Sequence, residues 1–404
     1  MKIVSVDVMQ VPSGNAGSSR GAWSPVVVRV NTDEGISGFG EVGLAYGKGW
    51  RAGFGMVQDF AEQIIGMDPM NNEQIWETIF RKTFWGMGGG AIVFAGISAI
   101  DIALWDIKGK ALNVPCYQLM GGKFRSQMRS YASQLQFGWC DKIGPYGKPE
   151  EYRMIAKYAL DDGYDAIKVD PVFAPTDPDT PLEKIWGSQG TQIRGCYRQH
   201  DLQRSVERIA ACREAGGPDM DIIVEIHSLL DANPAAELGK ALEPLHIMYF
   251  EEPTSPENPS NFRHIKQKCD LPLATGERSY TRWGFRQFFE DRTLSVIQPD
   301  LCNTGGITET KKICDMAQVY DMGVQIHVCG GPIATAAALQ VEAAIPNFTI
   351  HEEHNANLKN IFIQAGKYYY KPENGYYTVP DLPGIGQEMT DEFLATCRKV
   401  VIGG

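Results

Sequence analysis

Between residues 130 and 354, eight short β-rich runs alternate with stretches of helical character: SYASQL, YDAIKVD, DIIVEIH, IMYFEEP, LPLATGE, LSVIQPD, GVQIHV and FTIHEEH. Helices are predicted over 150–162, 203–215, 234–243, 258–268, 282–290, 306–320 and 331–343. Parallel strands cannot be joined by tight turns, so a helix must carry the chain back each time. Repeated eight times, this pattern is the signature of an α/β chain closed into a (β/α)8-type, modified TIM barrel, placed here over 126–375. Residues 1–125 read as an N-terminal α+β capping domain. Alternating apolar residues in IVSVDVMQV and VVVRVNTDEGISGFGEV predict antiparallel strands, and Ile97, Ile100, Leu104 and Ile107 recur at helical spacing. Pro115 and Gly121-Gly122 punctuate the boundary, and the segment 376–404 is expected to pack back on the cap.

The ends of the barrel strands carry the chemistry. Seven of the eight runs finish in charged or imidazole side chains: Lys168 and Asp170, Glu225 and His227, Glu251, Glu277, Asp300, His327 and Glu352. Loop polarity alone would bring Ser, Asn, Asp and Gly, whereas barrel enzymes gather their catalytic groups at these C-terminal ends. Glu225, Glu251 and Glu277 stand 26 residues apart, one strand–helix unit each, which predicts three carboxylates at equivalent heights on neighbouring strands. Three converging carboxylates repel unless a cation neutralises them, and a purely oxygen ligand set favours one Mg²⁺. Asp300 on the adjacent strand is placed to orient His327 as a base. His227 follows Glu225 by two residues, which puts both side chains on one side of the strand and suggests a general acid. Lys168 and Asp170 share a face by the same alternation, where they could hold substrate, or Lys168 could act as a base. Glu352 is placed to hydrogen-bond a substrate oxygen gaining negative charge. Its neighbours His351, Glu353 and His354 leave open which of the four points inward.

A net charge of −11, from 49 acidic and 38 basic residues, argues against a nucleic-acid partner. Nine cysteines without a CxxC pair read as reduced thiols, hence a cytoplasmic location. The N-terminal MKIVSVDVMQVP reads as a strand, not a signal peptide, and no run approaches the ~18 apolar residues that span a membrane. Two connections are long, 136–149 and 171–200. They are expected either to cover the site or to make contacts in a homo-oligomer. Loops near 14–24 and 45–55 are candidates for gripping the distal end of a substrate.

The segments SAIDIALWDIKGKALNVPCYQLMGG, FEEP, ATGER, IQPDLCNTGGITE and HVCGGPIA resemble the enolase superfamily, within its mandelate racemase-like branch, over nearly the whole chain. Within that branch the chain looks like sugar-acid dehydratases of the D-galactonate dehydratase type. The resemblance implies Mg²⁺ on Glu225, Glu251 and Glu277, a His327–Asp300 base, His227 as acid and Glu352 as a stabilising group. It implies dehydration of a small acid sugar to a 2-keto-3-deoxy acid. A racemase or epimerase, a cycloisomerase and a non-catalytic descendant are the alternatives. Two positions depart from the family pattern. Glu225 stands where aspartate is usual, and Asp170 stands where a second lysine or an asparagine is usual, which removes the usual second base of a racemase.

Overall fold

The computed structural model describes residues 1–12, 24–45, 49–144, 146–172, 194–354 and 364–404. The cap is a four-stranded antiparallel sheet backed by helices. Strand Ile3–Gln10 pairs with Val26–Thr32, which pairs with Ser37–Val42, and the last strand, Arg398–Gly403, covers the other edge of Ile3–Gln10. One face of the sheet, carrying Val6, Val8, Val26, Val28 and Val30, is buried against helices Trp50–Ile64, Asn72–Lys82 and Gly90–Leu112. Each such side chain contributes about 1.5–3 kcal/mol by leaving water. Gly38 and Gly40 let the long helix lie directly on the strand. A Cβ at either would fall 2.1 or 1.8 Å from the carbonyl oxygens of Ala103 and Ala99.

That helix corrects one expectation. Gly90–Leu112 has 23 residues and is apolar enough, by length and composition, to cross a membrane. Of its most apolar window, 78% is buried inside the protein. It is apolar nearly all round because the cap sheet covers one side and the barrel the other.

The barrel strands are Gln127–Ser133, Ala166–Val169, Asp221–Glu225, Tyr249–Glu251, Leu273–Thr275, Val296–Ile297, Gly323–Val324 and His351–His354. They pair in parallel in sequence order, the eighth returns to the first, and a parallel bridge from Val324 to Phe348 completes the ring. Among the described residues seven crossover helices follow: Pro149–Asp161, Gln199–Gly216, Ala232–Leu242, Pro259–Lys266, Thr281–Asp291, Gly306–Val319 and Pro332–Ala344. The C-terminal segment divides between the two units. Tyr376–Thr378 pairs antiparallel with the first barrel strand, where Tyr377 is buried against the His351 ring, and Arg398–Gly403 joins the cap.

Polar contacts fasten the cap to the loops after the sixth and seventh barrel strands. Trp76 Nε1 donates to the Gly305 carbonyl at 2.9 Å, and Ser98 Oγ accepts from the amides of Gly305 and Gly306. Asp101 accepts from both the amide and hydroxyl of Thr308. Glu41 accepts from the amides of Gly331 and Ala334, at the N-terminus of Pro332–Ala344, where a carboxylate complements the helix dipole. These loops carry Asp300 and His327, so cap docking and site geometry are linked. Of the loops proposed to grip substrate, residues 14–23 and 46–48 lie outside the described residues, as do 173–193 of the longer connection and residue 145 of the shorter. The helix from Trp50 occupies the end of the 45–55 stretch.

Candidate active site

Glu225 ends the third barrel strand and Glu251 the fourth, and their Cα atoms are register partners. Glu277 sits higher. Ala274 is the residue level with Glu251, the fifth strand stops at Thr275, and Gly276 turns the chain before Glu277. The equal sequence spacing therefore corresponds to equal height for only two of the three. The carboxylates still converge, with one oxygen from each lying within 4.8 Å of the others.

The extra methylene of Glu225 is absorbed by its own turn. Its Oε1 curls back to accept from the amides of Ile226 (3.0 Å) and His227 (2.6 Å), which leaves Oε2 facing the other carboxylates. The chain makes this turn with positive φ at His227 (49°) and Ser228 (60°), at about 1–2 kcal/mol each. Two amide-to-carboxylate bonds, each worth about 1.5–3 kcal/mol, offset that strain. His227 is therefore placed by a left-handed turn beyond the strand, not by strand alternation.

Glu225 Oε2 and Glu251 Oε2 are buried and accept no hydrogen bond among the described residues. Such orphaned oxygens suit a hard cation. The three carboxylates lie close enough together for one cation to draw on an oxygen from each. Burial raises the Glu225 carboxyl to about 7 despite Lys168, and burial together with the Glu225 charge raises Glu251 well above its ordinary range. Burial alone would raise Glu277 too, but His327 and Arg278 outweigh it and hold this carboxyl at about 2.

Lys168 lies on the same floor, its Nζ 2.9 Å from Glu251 Oε1, 2.7 Å from Glu352 Oε1 and 3.7 Å from Glu225 Oε2. Burial would lower its pKa, yet these three carboxylates raise it well above the usual lysine value. Glu352 is the member of HEEH that enters the barrel. His351 and Glu353 turn outward, to Glu342 on the helix Pro332–Ala344 and to Tyr377, while His354 reaches toward Cys329 at 3.8 Å. Glu352 accepts from Lys168, from Ser133 Oγ and from the Val328 amide. Burial opposes its ionisation, but Lys168 and His327 keep its pKa well below the usual carboxylate range. An ionised Glu352 is an acceptor. It anchors Lys168.

His327 Nδ1 lies 2.8 Å from Asp300 Oδ2, and its Nε2 faces Glu277 Oε2 at 3.1 Å. Burial lowers its pKa, but Glu277, Glu352 and Asp300 together raise it to about 10. A second dyad stands across the barrel: His227 Nδ1 is 2.6 Å from Asp170 Oδ2. Asp170 thus faces a histidine.

Several site residues escaped the sequence reading. Gln134 approaches His227 Nε2 at 3.2 Å, Ser133 holds Glu352, and Arg278 bridges Glu277 and the buried Glu252. Ser133 ends the first strand and Gln134 follows it, so the strand-end rule was the available signal, but they carry no charge to make it stand out. For Glu252 and Arg278 the signal was adjacency to Glu251 and Glu277.

Residues 151–393 match the enolase C-terminal domain-like family, and residues 1–121 match the N-terminal domain of mandelate racemase and muconate lactonizing enzyme. The chain belongs to the enolase superfamily. Its fold agrees closely with the crystal structure of a superfamily member from Salmonella Typhimurium, at 53% identity and a TM-score of 0.93 over 99% of both chains. D-galactonate dehydratase of Variovorax paradoxus is 33% identical over 90% of this chain and 88% of its own length. D-xylonate dehydratase of Haloferax volcanii is 32% identical over 91% of this chain and 83% of its own length. Both shares are high enough that this enolase-superfamily chain and those relatives align through cap and barrel alike.

Proposed function

We propose that this enolase-superfamily chain is a Mg²⁺-dependent sugar-acid dehydratase that converts an aldonate-type acid to a 2-keto-3-deoxy acid, with D-galactonate the first substrate to try. The observation that carries the reading is the placement of two His–Asp pairs on opposite sides of the three converging carboxylates. Relatives named dehydratases along most of the chain support it.

Glu225, Glu251 and Glu277 would hold the cation, which supplies Lewis-acid stabilisation of the charge that develops on the substrate carboxylate. His327, freed of its proton once a cation offsets the Glu277 charge that holds it, would remove the α-proton at Nε2 while Asp300 holds its Nδ1. Lys168 presents a fixed positive charge to the same carboxylate, and Glu352 keeps that ammonium in place. His227, on the other face, delivers a proton to the departing 3-hydroxyl. Loss of water leaves an enol that becomes the keto acid. Lys168, Glu225, Glu251, Asp300 and Glu352 are buried, and Glu277, His227 and His327 are partly exposed at the barrel mouth, which limits solvent screening of the charges.

An epimerase reading draws on one observation: the His227–Asp170 pair repeats the His327–Asp300 pair and could serve as a base on the opposite face. One experiment separates the two. A library of sugar acids incubated with and without Mg²⁺ is assayed for 2-keto acid. Dehydration yields keto acid only with the cation. Isomerised acid without keto acid would replace the dehydratase reading with the epimerase one.

A further inference from the structure

A closed ring of hydrogen bonds surrounds His227. The Asp170 amide donates to Gln136 Oε1 at 3.1 Å, Gln136 Nε2 donates to Gln134 Oε1 at 2.6 Å, Gln134 Nε2 lies 3.2 Å from His227 Nε2, and His227 Nδ1 returns to Asp170 Oδ2 at 2.6 Å. The direction of this ring is forced. A backbone N–H only donates, so the oxygen of Gln136 must face Asp170. The Gln136 amide nitrogen then faces Gln134 Oε1, and the Gln134 nitrogen is left to donate to His227 Nε2. That nitrogen must accept, so the ring proton sits on Nδ1 and points at Asp170. Asp170 is held in turn by its surroundings. Its Oδ1 accepts from the Val172 amide at 2.8 Å, and its carbonyl accepts from the buried Tyr152 hydroxyl at 2.6 Å.

We propose that Asp170 is the positioning residue of His227, and that Gln134 and Gln136 close a ring fixing the imidazole as the Nδ1–H tautomer with Nε2 turned to the substrate side. The site thus carries two oriented imidazoles, one from the third strand and one from the seventh. In the free protein Gln134 donates to Nε2, so in the proposed reaction His227 must first take up a proton there, as an imidazolium held by Asp170, before it delivers one to the departing hydroxyl. The catalytic consequence rests on the dehydratase reading; the tautomer does not.

Asp170→Asn tests this with a built-in direction. The Val172 amide must still face an oxygen, so the new NH2 group turns to His227 Nδ1. With Gln134 still donating at Nε2, both ring nitrogens then face donors, and the preference for Nδ1–H is lost. In the full-length protein labelled with ¹⁵N-histidine, with the His227 signals assigned by their loss in His227→Asn, the parent should show a protonated Nδ1 and an acceptor Nε2. Asp170→Asn should lose that preference and show both tautomers. Gln134→Leu should keep the proton on Nδ1 and shift only the Nε2 resonance, and this variant carries the test if Asp170→Asn does not fold. With a sugar acid that the parent dehydrates, Asp170→Asn should lose keto-acid formation by about 100-fold or more while exchange of the α-proton with solvent deuterium persists. A purely structural role would lower both together. A proton on Nε2 in the parent, an unchanged tautomer in Asp170→Asn, or no Nε2 shift in Gln134→Leu overturns the assignment. A parent that dehydrates no sugar acid yet shows these tautomers would instead sink the dehydratase reading and leave the ring standing.

Discussion

His327 Nε2 lies 3.1 Å from Glu277 Oε2, so the proposed base and one proposed cation ligand hold each other. In the cation-free protein at neutral pH this histidine is protonated, since its pKa is raised to about 10. Burial raises Glu251 well above its ordinary range and Glu225 to about 7, so both hold a proton more tightly than a free carboxylate does. A divalent cation needs these oxygens bare, so binding should expel protons and tighten as pH rises from 6 to 8. Titration calorimetry in buffers of different ionisation enthalpy should report at least one proton released per Mg²⁺. Binding independent of pH would remove the cation from these three glutamates.

The two histidines should separate by which half-reaction each supports. His327→Asn should abolish exchange of the substrate α-proton with deuterium and lower keto-acid formation by about 10²–10⁴-fold. His227→Asn should spare exchange and block loss of water. Proton NMR in D2O reads exchange and keto acid together. An active His327→Asn variant would falsify the base assignment.

Glu225→Asp restores the residue usual in the family but should impair this protein. The shorter side chain cannot both accept from the Ile226 and His227 amides and keep an oxygen toward Glu251. Mg²⁺ affinity should fall by about 10-fold or more, or the melting temperature should drop by the equivalent of about 1–3 kcal/mol. Unchanged affinity and melting temperature together would show that the turn does not depend on the extra methylene.

Glu41 gives a stability test away from the chemistry. Burial raises its carboxyl from 4.5 to about 7, against the opposing pull of the Gly331 and Ala334 amides. The folded protein then retains a proton that the unfolded chain releases near 4.5. This contribution is therefore favourable at low pH and is lost as pH climbs toward 7. Between pH 5 and 8 the cation-free parent should lose about 2 kcal/mol more stability than Glu41→Gln, measured by urea denaturation. Equal pH slopes for parent and variant would contradict it.

Much of the site was readable because a barrel converts sequence order into spatial order. Glu225, Glu251, Asp300, His327 and Glu352 end strands that neighbour one another in the ring, so the rule that strand ends face the mouth brings them together without knowledge of any loop. Height was less legible. Glu277 rises above its register level because a glycine turn precedes it, and His227 is aimed by a left-handed turn that no period-two pattern foresees. The outward turn of His351 and Glu353 needed the positions of Glu342 and Tyr377.

The sequence by itself determined the alternation of strand and helix, the cap ahead of it and the set of acids and bases at the strand ends, because each follows from local periodicity. It also carried the family resemblance. Only the tertiary structure decided the hydrogen-bond partners: Asp170 for His227, Lys168 for Glu352, and Glu225 for its own turn. A hydrogen bond is set by distances of a few tenths of an ångström between atoms far apart in the chain. Such distances are fixed by packing and by backbone turns, and residue type and spacing leave them open.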